Sequence, residues 1–95
     1  MEILHDSDDI GGEFYLDDPD AEEQPAELTY RRHGKRITVT HVEVDSRYEG
    51  KGYGKQLVAE VVKYARAEKL EVAATCPFAK HVFSSVPEYS DVYVS

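Results

Sequence analysis

Three glycines on alternate positions, Gly50, Gly52 and Gly54, join a β-patterned run to an amphipathic helical run, and that junction narrows the folds open to this chain. The run before it, Arg36–Asp45, is the longest β pattern. It sets Thr38, Thr40, Val42 and Val44 on one face and Ile37, Val39, His41 and Glu43 on the other. The run after it, Lys51–Lys69, repeats Leu57, Val58, Val61, Val62 and Ala65 at helical spacing, with Glu60, Lys63, Arg66 and Lys69 outward. A strand, a short glycine loop and a helix, followed by another strand, make a crossover unit whose two strands run parallel. Glycine accepts positive φ and has no Cβ to obstruct a ligand, so N–H groups of such a loop can converge on an anion. The helix start adds unpaired donors and positive dipole at the same place. The junction is therefore read as a phosphate cradle.

The rest of the chain supplies a sheet around that unit. Gly12–Leu16 and Ala26–Arg32 carry strand patterns, and Ile3-Leu4 is a further short candidate. Asp17–Pro25 is a polar turn bounded by prolines, and His33-Gly34-Lys35 is a tight hairpin turn. Glu71–Thr75 is a short strand, Pro77 opens a second helix reaching about Ser85, and Asp91–Val94 is a last strand candidate. The expected fold is α+β: a mixed sheet of three or four antiparallel strands followed by helix, strand and helix. Residues 1–95 read as one domain, without repeats or an interior linker.

Charge and composition exclude several classes of function. The net charge is −8, against the basic footprint that nucleic acid requires. Residues 1–30 hold 11 acids and no Lys or Arg, whereas residues 31–95 hold 11 bases and 8 acids. The N-terminal acids read either as a solvated surface or as a field that attracts a cationic substrate, and their spacing does not choose. No apolar run approaches the roughly 20 residues of a membrane span, and the N-terminus lacks a basic signal-peptide region. A single cysteine forms no internal disulfide, and a cytoplasmic location is the expectation. No spaced His, Cys or acid set of zinc-ligand type appears, so no metal is expected. A Gly-x-x-x-x-Gly-Lys phosphate loop is also missing.

Taken together, five stretches resemble one known family. They are Gly12-Glu13-Phe14-Tyr15, Thr40-His41-Val42-Glu43-Val44, Tyr48-Glu49-Gly50-Lys51-Gly52-Tyr53-Gly54-Lys55-Gln56-Leu57-Val58, Cys76-Pro77-Phe78-Ala79 and Pro87-Glu88-Tyr89 with Asp91. Over residues 12–93 the chain resembles the GNAT N-acetyltransferase superfamily, and most closely its very small, YjdJ-type single-domain members. The resemblance implies a minimal GNAT fold that binds acetyl-CoA. It places Val44 where main-chain groups bond the pantetheine amides. It also makes Glu49, Gly50, Lys51, Gly52, Tyr53, Gly54 and Lys55 the cradle of the coenzyme A pyrophosphate, with Arg47 adding charge. Glu49 departs from the family's usual Arg or Gln at that place and is expected to turn outward.

The resemblance also orders the candidates for chemistry. Aminolysis of a thioester needs a base for the amine's proton and benefits from an acid for the departing thiolate. His41 lies three residues before Val44, on the strand that lines the acyl group, and histidine exchanges protons near neutral pH. It is read as base or, alternatively, as a cross-sheet hydrogen-bonding residue; Glu43 on the same face is read as a solvent-facing strand-end carboxylate or, alternatively, as a group that orients His41 or holds a cationic amine. Cys76 precedes Pro77 at a helix start, a placement that activates thiols. It is read as acid, as transient acyl carrier or as a buried inert residue. The family's general-acid tyrosine falls on Phe83, which has no hydroxyl, leaving Tyr89 as a substitute donor or a packing aromatic.

The expected function is transfer of acetyl from acetyl-CoA to a small-molecule or protein amine, with a non-catalytic acyl-CoA-binding or interaction module as the alternative. Little sequence lies between Ile3 and Gly12, so the extra N-terminal helices of larger relatives are expected to be missing and the acceptor groove open.

Overall fold

The computed structural model describes residues 2–20 and 25–94. Five strands form one sheet in chain order: β1 (Glu2–Ser7), β2 (Gly11–Asp17), β3 (Ala26–His33), β4 (Arg36–Val44) and β5 (Glu71–Ala74). The first four pair antiparallel, and β5 joins β4 in parallel, Arg36–Val39 lying beside Glu71–Ala74. The parallel pair is connected through helix α1 (Tyr53–Glu68), and helix α2 (Pro77–Ser85) follows β5. The helix expected from Lys51 thus begins two residues later, because Gly52 takes a left-handed conformation (φ 79°) and serves as its N-cap. The C-terminal strand expected over Asp91–Val94 is reduced to one bridge between Val72 and Tyr93. Part of the expected Asp17–Pro25 turn, residues 21–24, lies outside the described residues.

Both helices lie on the same face of the sheet. Leu57, Val58, Val61, Val62 and Ala65 of α1 and Ala79, Val82 and Phe83 of α2 are buried in one cluster with Phe14, Leu16, Leu28, Tyr30, Ile37, Val39 and Val72. Burying each Leu or Val side chain is worth about 1.5–3 kcal/mol, so the apolar stripe of α1 does much to hold it on the sheet. Among the described residues no helix covers the opposite face. No helix of the described residues is long and apolar enough to cross a membrane.

The face assignment within β4 differs from strict alternation. Ile37 and Val39 are buried, yet His41 and Glu43 are exposed, and Val42 and Val44 pack against the core instead. The pairing explains the change. Thr29 sits opposite His41 and Tyr30 opposite Val39, so Thr40 is an extra residue in β4. Such a bulge reverses which face each later side chain meets. The bare face of the sheet therefore carries Asp6, Glu13, Thr29 and His41 in one cross-strand row and Leu4, Tyr15, Glu27 and Glu43 in the next.

At the far side of the core, His5 is stacked on Phe14 (ring centroids 4.0 Å apart) and meets the edge of Tyr64. His5 Nε2 shares a 2.6 Å hydrogen bond with the hydroxyl of buried Tyr30. Burial pushes the His5 imidazole below its usual range, opposed by the nearby Asp6 carboxylate. It also pushes the Tyr30 phenol up.

Candidate functional site

Strand β4 parts from β5 after Val39, and the parting creates the site. The carbonyl of Val39 accepts from the amides of Thr75 (3.0 Å) and Cys76 (3.4 Å), after which the second chain turns away into α2. The ladder to β5 ends at Val39 opposite Ala74. Among the described residues, the β5-facing edge of β4 has no strand partner from Thr40 to Val44.

Beyond β4, a 3-10 turn over Ser46–Tyr48 is held by Asp45, whose carboxylate accepts from the amide and guanidinium of Arg47. That ion pair holds the Asp45 carboxyl below its usual range. It also means that Arg47, expected to serve the loop, is engaged with Asp45. Gly50 and Gly52 both have φ of 79°, and a Cβ built on either would meet nothing within 4 Å. Backbone conformation, not crowding, thus selects glycine at these two positions. Helix α1 has no side-chain cap, and its first turn contains no acid. Its leading N–H groups are therefore available to an anion.

A cavity of about 540 Å³ lies between this loop, the free edge of β4 and α2. Tyr48, Glu49, Gly50, Gly52, Tyr53 and Lys55 of the loop and helix start line it together with Val42, Val44, Gly54 and Phe78, the last three close to one another. Seven of the eight cofactor-binding candidates thus line one hollow: Val44, Glu49, Gly50, Gly52, Tyr53, Gly54 and Lys55. The eighth, Lys51, is exposed and lies over the Tyr48 ring, 5.6 Å from its centroid. Glu49 is exposed as well as lining the cavity.

Phe78 also lines the cavity, a placement that the sequence does not signal. The residue is 39% exposed, unusual for one with a large apolar side chain. A Cβ on Gly54 would stand 2.8 Å from its Cζ, so Gly54 is glycine because Phe78 lies against it. The tight pairing spans α1 and α2, and no sequence spacing announces it.

The two candidates for chemistry stand outside the cavity lining. His41 is exposed on the bare face, its Nε2 3.3 Å from Glu43 Oε2. Glu43 is solvent-facing and also within reach of His41, but both residues lie on the opposite face from the one that strict alternation gives them: the Thr40 bulge turns them away from the helices. Cys76 is the partly buried N-cap of α2, makes no side-chain capping bond and packs at the edge of the core. Phe83 is buried and stacked on Tyr93, with centroids 4.8 Å apart. Tyr89 meets Phe83 edge-on and lies near the Arg66 guanidinium, which donates to Glu88 O and Asp91. Its surroundings are those of a packing aromatic.

One cluster was not foreseen. Ligand atoms of Glu27, His41 and Glu43 lie within 4.8 Å of one another, because Glu27 is directly opposite Glu43 and His41 is two residues away on the same face. The expectation of no metal was drawn from linear spacing, which does not register contacts across a sheet.

Comparison with known proteins adds family and fold. Residues 13–92 match the model of a family described as GCN5-related N-acetyl-transferase. The solution structure of a GCN5-like protein from Staphylococcus aureus is 36% identical, covers 99% of this chain and 88% of its own, and superposes with a TM-score of 0.79. The Escherichia coli ribosomal-protein-S18-alanine N-acetyltransferase is 14% identical with a TM-score of 0.69, over 85% of this chain and 54% of that one. Tetrahymena GCN5 is 14% identical with a TM-score of 0.67, over 93% and 62%. These last two likenesses concern the fold. No curated protein matches in sequence.

Proposed function

The chain belongs to the GCN5-related N-acetyltransferase family, and from that premise we propose that it binds acetyl-CoA in the cavity beside β4 and transfers the acetyl group to an amine. The observation that carries this reading is the cavity's lining. It combines the glycine loop and helix N-terminus with Val42, Val44 and Phe78, beside a strand edge that has no partner among the described residues. The loop and helix start suit a pyrophosphate, with amides of the Glu49–Gly54 loop as donors and Lys55 adding charge. The apolar side chains suit the pantetheine arm, whose amides would meet the free main-chain groups of Thr40–Val44.

Acetyl-CoA supplies an acyl group already activated as a thioester. What the chain adds is position and proton management. His41, oriented by Glu43, accepts the proton of an amine arriving on the bare face, since only the neutral amine is nucleophilic. Cys76, at the start of α2 next to the parting of β4 and β5, donates a proton or carries the acyl group transiently in this reading. A cytoplasmic setting accords with this chemistry and belongs to the same proposal.

The test combines melting temperature and intact mass. Acetyl-CoA is expected to raise the melting temperature, and an added amine panel to yield acetylated product and free thiol. Incubation without acceptor reports directly on acylation of Cys76, with Cys76→Ala as the control. A melting shift without turnover of any amine favours a binding module, a reading to which buried, hydroxyl-free Phe83 lends weight. No melting shift at all removes the basis of the proposal.

A further inference from the structure

The bare face holds a second hollow, of about 300 Å³, beside the bulge in β4. Its lining includes Asp8, Ile10, Glu13, Thr29, Arg31 and Thr40. The register makes its form. Gly11 pairs with Arg31 and Glu13 with Thr29, so these four occupy one square of the sheet, with Glu13 and Arg31 at diagonal corners. Diagonal side chains on a sheet are about 7–8 Å apart at their bases, near enough for long chains to meet. Glu13 and Arg31 nevertheless form no ion pair among the described residues. Gly11 puts no side chain between them.

Two opposite charges thus line one hollow and leave each other unneutralised. Asp8 stands at the same rim, its Oδ1 accepting from the amides of Ile10 and Gly11. Beside it Ile10 is 68% exposed, an apolar surface with nothing packed over most of it. A volume of 300 Å³ is at the lower end of the roughly 300–1,000 Å³ of small-molecule sites.

We propose that this hollow binds a free α-amino acid. The guanidinium of Arg31 takes the carboxylate through its paired donors. Glu13 and Asp8 take the ammonium, and Ile10 meets an aliphatic side chain. A monovalent amine would satisfy only half of the lining, as would a simple carboxylate. The role of this amino acid as acyl acceptor rests on the acetyltransferase reading above; its binding does not.

The experiment is a titration of ¹⁵N-labelled protein with L-leucine, n-butylamine and isovalerate in turn. L-Leucine at millimolar concentration is expected to shift the amides of Gly11, Glu13, Thr29, Arg31 and Thr40, and the two half-ligands to bind at least tenfold more weakly. Arg31→Gln and Glu13→Gln each remove a charge-assisted contact and should weaken L-leucine about tenfold or more. The same spectra report whether the exposed-face variants stay folded. The melting shift given by acetyl-CoA should be unchanged in both variants, so loss of amino-acid binding and loss of coenzyme binding are read separately. Absence of L-leucine shifts, equal binding of n-butylamine, or indifference to Arg31→Gln would each overturn the proposal.

Discussion

Gly52 and Gly54 are both glycine for reasons that a substitution can separate. Gly52 is held at φ 79° with open space around it. A β-branched residue there meets strain alone, about 1–3 kcal/mol. Gly52→Val should therefore lose that much stability to urea and, by distorting the cradle, most of its affinity for acetyl-CoA. Gly54→Ala acts through its neighbour, since the added Cβ would displace the Phe78 ring. Overpacking of this kind costs about 1–3 kcal/mol, and Phe78→Leu should relieve most of it. A double-mutant cycle on urea midpoints checks this: simple additivity would show that Gly54 and Phe78 do not restrain each other. On the bare face, Glu27 opposes Glu43, and like charges directly across a sheet are destabilising by roughly 0.2–1 kcal/mol. Glu27→Gln should stabilise the protein by a few tenths within that range. A loss in the urea midpoint would mean that Glu27 has a cationic partner in solution.

At the scale of single elements, the glycine loop and α1 were legible because each obeys a local rule: positive φ calls for glycine, and apolar residues at three- and four-residue spacing make a helix. The end of α1 is less regular. Lys69 adopts φ 57° where glycine is the usual residue, while Leu70 N–H bonds back to Ala65 O. Lys69→Gly should raise stability by about 0.5–1 kcal/mol, measured by urea unfolding. Strand β4 shows what local rules miss. Its sequence alternates smoothly through Thr38-Val39-Thr40-His41, so nothing in it marks Thr40 as extra. The bulge is a property of its pairing with Thr29 and Tyr30, and it alone decides that His41 and Glu43 face away from α1. Phe78 escaped for a similar reason, since its exposure has meaning only beside a glycine on another helix.

For the molecule as a whole, the junction of β1 with the core makes stability depend on pH. Burial lowers the folded pKa of His5, so the unfolded chain takes up the proton first. The His5 contribution is fully present above about pH 6.5, the unfolded value. It is lost progressively as pH falls from there through the lowered folded value. His5→Phe should flatten the urea-midpoint dependence between neutrality and mild acid, while reducing stability throughout because Tyr30 loses its 2.6 Å hydrogen bond to His5. An unchanged slope would show that the dependence comes from other groups. The acids of the first thirty residues, scattered along the chain, gain a pattern once the sheet forms. The sheet brings Asp6, Glu13 and Glu27 to its bare face, where the amine is proposed to arrive. In the cavity from Val42 to Lys55, coenzyme A is proposed to be held by main-chain donors. Calorimetric titration of acetyl-CoA into the wild-type protein and Gly52→Val tests this most directly. Binding to the wild type and its near loss in the variant are expected; binding of equal strength to both would show that the loop does not hold the coenzyme.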